Sequence, residues 1–322
     1  MQFQKELCQG KVITVNGLIS PEEMGITLPH EHLLIIHQGP LVDFVDVDIA
    51  IEELRLYKRL NGRTLVDVTN IGLGRNPLAL KQISSRTGVN VVMGCGYYKD
   101  GWLTPEIREM AVEELTEEIV KDITEGVGDT DIHAGVIGEI GVSNPITPTE
   151  ERLLKASARA QRETGAAITV HFDIIKDLND YTYALDILEH EGADLSRVII
   201  EHLVSHPNWV KLCKAIAERG CYLEFELWGV DVWPKVWGEF LDNTPLEVQV
   251  ASFRWFLLNG LLDRILIAQD IGSQVMLVVN GGYGYAQILR DLIPRFKSYG
   301  INDDEIETIM VDNPQRVFPL KF

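Results

Sequence analysis

The stretch Ile26-Thr27-Leu28-Pro29-His30-Glu31-His32-Leu33-Leu34-Ile35 is an apolar run broken by two histidines one residue apart. Side chains alternate across an extended strand, so His30 and His32 point to one side and Glu31 to the other. Two imidazoles on one side can reach a single cation, although a His-x-His pair taken alone is weak evidence and fits two structural histidines better. Working outward, seven more short apolar runs follow: TLVDVTN (64–70), VNVVMGCG (89–96), AGVIGEIG (134–141), AAITVHF (166–172), RVIIEHL (197–203), CYLEFEL (221–227) and RILIAQD (264–270). Amphipathic stretches of helical length lie between them, among them 49–60, 105–124, 149–164, 181–191, 209–219 and 246–259. Strands that are apolar throughout belong to a parallel sheet covered on both faces. The alternation predicts an α/β fold, a (β/α)8 TIM barrel, as a single domain over residues 1–322. Ahead of the barrel (21–322), KVITVNGLIS places apolar residues on both sides of Asn16-Gly17, which predicts a short β-hairpin within residues 1–20.

Hydrophobic residues make up 46% and charged residues 24%, the balance of a soluble globular protein with a substantial core. No segment reaches the roughly 18–20 apolar residues of a membrane span, and the opening MQFQKELCQG has no apolar signal core, so no membrane partner and a cytoplasmic location are expected. A formal net charge of −19 without any basic stripe repels nucleic acid. The acidic run 113–131 reads as a solvated helix face. Cys8, Cys95, Cys213 and Cys221 form no CxxC pair and read as reduced thiols, Cys95 as a small buried side chain.

The chemistry is carried by strand ends. His171, His202 and Asp270 each stand where an apolar strand runs out, at the C-terminal mouth where active sites of this fold are assembled. With His30 and His32 they give four imidazoles and a carboxylate, a donor set that suits zinc, or manganese, cobalt or iron, and is too large for one open catalytic ion. Two divalent ions need a bridge. Glu139, inside the glycine-punctuated strand GVIGEIG, is a carboxylate that is costly to bury unless paired or metal-bound.

The motifs GITLPHEH (25–32), GVIGEIG (135–141), the two single-histidine strands, Ala268-Gln269-Asp270, NGGYGY (280–285) and Asn313-Pro314 resemble the phosphotriesterase family of the amidohydrolase superfamily from about Gly17 to Phe318. The resemblance implies a barrel with two metals: His30, His32 and Asp270 on one ion, His171 and His202 on the other, Glu139 bridging. Many members bridge with a carboxylated lysine; glutamate marks the branch of phosphotriesterase homology and phosphotriesterase-related proteins. Tyr98 is similar to the aromatic residue that the family sets beside the metals. Two departures bear on substrate. Leu227 stands where lactonase members carry an arginine, and Ser205 and His206 stand near the place of an acidic relay partner.

Bridged cations turn a shared water into a hydroxide near neutral pH and polarise the substrate oxygen. The expected enzyme is therefore a metal-dependent hydrolase of a small molecule: a carboxylic ester, lactone or amide, an N-acyl amino acid included because the related branch has that activity. A phosphotriesterase is the alternative, and a metal-stabilised binding barrel the non-enzymatic one. Asp270, as the family suggests, takes up the proton, and Tyr98 either positions the hydroxide or carbonyl or simply packs at the mouth. Substrate contacts are expected from Leu227, Trp228 and Trp233, with Trp237, Phe240, Met276, Tyr283 and Tyr285 nearby; a Trp-rich loop also fits a homodimer contact. Arg75 is either an anion clamp or a loop charge.

Overall fold

The computed structural model describes residues 5–36, 43–172, 178–203, 209–229 and 245–322. A hairpin of β1 (Val12–Thr14) and β2 (Gly17–Ile19) precedes eight parallel strands: β3 (Ile26–Glu31), β4 (Gly62–Asp67), β5 (Asn90–Cys95), β6 (Val136–Val142), β7 (Ala167–Phe172), β8 (Val198–Ile200), β9 (Tyr222–Phe225) and β10 (Ile265–Ile267). They pair in sequence order, and β10 returns to lie against β3. After α1 (Lys5–Cys8), the helices that follow the strands are α2 (Val47–Arg59), α3 (Pro77–Thr87), α4 (Pro105–Glu109), α5 (Val112–Thr124), α6 (Pro148–Thr164), α7 (Leu178–His190), α8 (Trp209–Glu218) and α9 (Leu246–Leu258), with short C-terminal helices beyond β10. The fold is the expected (β/α)8 barrel.

Alternation along each strand builds two cores. Val66, Val92, Val136, Ala167, Ile199, Tyr222 and Leu266, one from each of β4 to β10, fill the inside. Their neighbours Leu65, Val91, Ile137, Ile168, Ile200, Leu223 and Ile265 face outward into the helix layer. Stepping in twos from the inner set towards the mouth passes from Ala167 to Thr169 to His171, from Ile199 to Glu201, from Tyr222 to Glu224 to Glu226, and from Leu266 to Ala268 to Asp270. The interior is therefore apolar at the bottom and polar at the top.

Local chemistry sets the helix that follows β6. Thr147 Oγ1 accepts from Glu150 N at 3.2 Å while Glu150 Oε2 accepts from Thr147 N at 3.0 Å, Pro148 takes the first helical position, and Gly165 ends α6 at φ +70°. Glu150 also accepts from Ser143 N and Asp100 N, so this cap ties down the loops after β6 and β5. Truncating buried Leu153 on the apolar face of α6 to Ala would cost about 2–5 kcal/mol.

The barrel seam has its own device. Glu31 points away from His30 and His32, as alternation requires, and its oxygens accept from Gln269 N and Ile271 N, both at 2.8 Å, clamping the end of β3 to the segment after β10. Burial holds this carboxyl up at about 8.

Two expectations shift. The hairpin turns one residue early, with Thr14 opposite Gly17 and Val15-Asn16 between them, because Val15 is buried and donates to Val91 O at 2.9 Å. The stretch 105–124 breaks into α4 and α5, since Met110 adopts an extended backbone and α5 starts afresh with Glu114 accepting from Ala111 N at 2.8 Å. The acidic face of α5 is solvated as expected apart from Asp122, which is buried. All four cysteines are buried free thiols. Among the described residues no helix is long and apolar enough to cross a membrane.

Candidate metal centre

The C-terminal mouth brings together His30, His32, Glu139, His171, His202 and Asp270. Glu139 Oε1 lies 3.2 Å from His32 Nε2, and Oε2 lies 2.6 Å from His171 Nδ1 and 3.8 Å from His30 Nε2. One oxygen thus faces His32 and the other faces His171 and His30, so the carboxylate lies between the two histidine groups. Asp270 Oδ1 stands 3.5 Å from His30 Nε2 and 3.4 Å from His32 Nε2, while His202 Nε2 is 2.8 Å from His171 Nδ1. Two groups, His30 with His202, Glu226 and Asp270, and His30 with Glu139, Glu201 and His202, hold ligand atoms within 4.8 Å of one another.

Each ring is oriented from behind. Thr69 Oγ1 donates to Leu34 O at 3.1 Å, so at 2.8 Å it accepts from His32 Nδ1–H and leaves Nε2 facing the cluster. Tyr285 OH donates to His32 O at 2.6 Å, which makes this buried tyrosine a brace for the His-x-His segment. Tyr98 OH meets His171 Nε2 at 3.1 Å with its ring edge-on to the imidazole, leaving Nδ1 inward. His30 turns Nδ1 towards Glu226 (3.0 Å) and Glu201 (3.2 Å), and among the described residues neither of its buried ring nitrogens makes a hydrogen bond. An orphaned buried imidazole nitrogen beside two carboxylates, in a nitrogen–oxygen donor set, fits a pair of divalent cations.

Three strand-end residues, His202 (φ +58°), Leu227 (φ +55°) and Asp270 (φ +55°), occupy the left-handed region. That conformation costs a non-glycine residue roughly 1–2 kcal/mol, and here it clusters at the mouth. At His202 it breaks the alternation, so that adjacent Glu201 and His202 both reach the cluster.

Histidine–carboxylate pairs set the protonation of the centre. Burial works against the charge of His32, yet Asp270 and Glu139 hold it at about 10. His202, opposed by burial in the same way, is held at about 9 by Glu226, and His30 well above the ordinary range by Glu201 and Glu226. Burial and neighbouring His202 push His171 down to about 4. Burial works against the charge of Asp270 too, but its contact with His32 and the charges of His30 and His202 hold it below the usual carboxylate range.

Glu201, Glu224 and Glu226 were not singled out in the sequence, although each is a fully buried carboxylate in an apolar strand, the same signal that marked Glu139. The expected substrate contacts fare differently. Tyr98 stands at the cluster, and Leu227 is half-buried at the end of β9. Trp228 has its ring buried edge-on against Phe253 and Phe296, and its Nε1–H donates to Phe225 O at 3.0 Å. Arg75 is paired within the barrel wall. It donates to Asp122 at 2.7 Å and to Gly94 O at 3.3 Å, leaving no uncompensated charge for a substrate anion. Tyr283 donates to Gly229 O at 3.2 Å. Trp233, Trp237, Phe240, Ser205 and His206 lie outside the described residues. A cleft of about 250 Å³ between the hairpin, Lys81 and His133 opens at the opposite, N-terminal end of the barrel, away from this chemistry.

The sequence profile of the Phosphotriesterase family matches residues 10–318. The N-acetyltaurine hydrolase of Danio rerio is 33% identical, in an alignment covering 97% of this chain and 99% of its own. Among solved structures, a resiniferatoxin-binding protein from Rhodobacter sphaeroides has a TM-score of 0.89 at 34% identity, covering 97% of this chain and 96% of its own. The phosphotriesterase homology protein from Escherichia coli, complexed with phosphate in its active site, has a TM-score of 0.82 at 28% identity, covering 92% of this chain and 99% of its own.

Proposed function

The chain belongs to the phosphotriesterase family and is a metal-dependent hydrolase of small molecules, and from that premise we propose that it cleaves the amide bond of a short N-acyl amino acid or N-acyl aminosulfonate. The observation that carries this choice within the ester, lactone and amide class is the end-to-end match, 97% of this chain on 99% of the relative, to an N-acetyltaurine hydrolase.

In this reading His30, His32 and Asp270 would hold one ion, His171 and His202 the other, and Glu139 both, with zinc as the metal and manganese, cobalt or iron suited to the same donors. When bound, the pair acidifies a water and polarises the scissile carbonyl. Asp270, whose side chain is 14% exposed where those of Glu139 and Glu226 are 2% and 0%, is the carboxylate placed to accept the proton of the attacking water. It then hands that proton to the departing amine nitrogen as the C–N bond breaks. Tyr98 OH, beside His171, orients the carbonyl. The Lys99 ammonium, 4.9 Å from the Tyr98 ring centroid, adds positive potential on the side where an acidic head group would sit. The same reading takes the chain as one domain acting in the cytoplasm, with Trp233 and Trp237 as candidates for a homodimer contact.

The test is a comparison of kcat/KM for N-acetyltaurine, N-acetyl amino acids, lactones and a paraoxon-like triester on zinc- and manganese-loaded protein. The acyl amides should lead. Triester or lactone turnover far above them would overturn the choice.

A further inference from the structure

Glu226 sits on the inner face at the end of β9, fully buried. Its two oxygens do different things. Oε1 lies 3.0 Å from His30 Nδ1 and Oε2 lies 2.5 Å from His202 Nδ1. Both oxygens and both Nδ1 atoms are buried, and among the described residues none of the four meets full hydrogen-bond geometry, so the pairing is one of proximity and charge. The other two histidines have different neighbours behind them, Thr69 for His32 and Tyr98 for His171. Glu201 is also close, but among the described residues its ion-pair contact is with His30, at 3.2 Å.

We propose that Glu226 is a positioning residue shared by the two metal sites: its carboxylate backs the Nδ1 side of one histidine from each, so that both present Nε2 to the cations and the two ions are retained together. This rests on the assignment of His30 and His202 to different ions. The physical reason is that a ligating imidazole is fixed in tautomer and direction by what its other nitrogen meets, and such outer partners are worth about 10–100-fold in metal affinity. One carboxylate offers two acceptor oxygens. An amide offers one oxygen and a donor NH₂, so it cannot accept from both Nδ1–H groups.

The experiment compares wild type, Glu226→Gln and Glu201→Gln, each loaded with zinc and dialysed against graded chelator, with bound zinc counted by mass spectrometry. The visible absorption of the cobalt-loaded proteins is recorded alongside, with folding checked by circular dichroism. Wild type should hold two ions. Glu226→Gln should release both at roughly 10–100-fold lower chelator and change the cobalt spectrum of both sites, whereas Glu201→Gln should weaken one. Retention of both ions by Glu226→Gln at the wild-type chelator level would overturn the proposal, and so would loss of a single ion matching Glu201→Gln. Should Glu226→Gln not fold, Glu226→Asp carries the same expectations, because it keeps the charge but is one methylene too short to reach both nitrogens. Wild type that never holds two ions would overturn the metal-centre reading, and the proposal with it.

Discussion

Metal loading at pH 7 should release about three protons. In the metal-free protein burial opposes charge on His32, but Asp270 and Glu139 hold it at about 10; against the same opposition, Glu226 holds His202 at about 9 and Glu201 and Glu226 hold His30 well above the ordinary range. Only His171, pushed to about 4 by burial and His202, is already neutral. A ligating nitrogen must be deprotonated, so each of the other three gives up a proton on loading. At about 1.4 kcal/mol per pKa unit, stripping His32 at pH 7 costs about 4 kcal/mol and His202 about 3 kcal/mol. These two alone make loading about a hundredfold tighter for each pH unit between 7 and 9, and His30 adds a further factor of about ten. The assay is titration calorimetry of zinc into metal-free protein in buffers of different ionisation enthalpy, where the slope of observed heat against that enthalpy counts the protons. A slope of one or less would refute the reasoning. The metal-free protein should behave accordingly. His32 is raised from 6.5 in the unfolded chain to about 10 when folded, so its stabilising contribution is complete below pH 6.5 and is lost as pH rises through about 10.

Other perturbations separate the site from its supports. Tyr98→Phe keeps the ring against His171 but removes the 3.1 Å contact of its hydroxyl, and kcat/KM should fall about 2- to 10-fold, as the loss of about 0.5–1.5 kcal/mol implies; an unchanged value would mean that Tyr98 only packs. Gly141→Ala would set a Cβ 2.8 Å from Tyr98 C and against Lys99 N, an overpacking worth about 1–3 kcal/mol that should lower the melting temperature and displace Tyr98. Arg75→Met leaves Asp122 buried without its partner and should cost about 3–5 kcal/mol in urea unfolding, with KM of the folded fraction unchanged; a raised KM would return Arg75 to the substrate site. Tyr285→Phe orphans the buried carbonyl of His32 and should cost about 1–3 kcal/mol with weaker metal retention.

What the chain alone determines is whatever follows from period and cost. The alternation of apolar strand and amphipathic helix specifies the barrel, because a parallel sheet must be covered on both faces. Period two puts His30 and His32 together and Glu31 apart, and the expense of burying charge marks Glu139. The same expense applies to Glu201, Glu224 and Glu226, which that rule marks as well, although the polar strand ends are the stronger local signal. Tertiary structure alone decides the rest. Arg75 and Asp122 lie 47 residues apart, and only the packing of α5 against the barrel makes the guanidinium a strut. Trp228 looks like a pocket residue until the helix layer supplies Phe253 and Phe296. Strand periodicity sends Glu201 and His202 to opposite sides; a left-handed backbone at His202, which no local signal in RVIIEHL requires, brings both to the cluster. That Glu226 meets one histidine of each set depends on where β3, β8 and β9 stand around a closed ring, and barrel closure is a long-range property that no local stretch of sequence records.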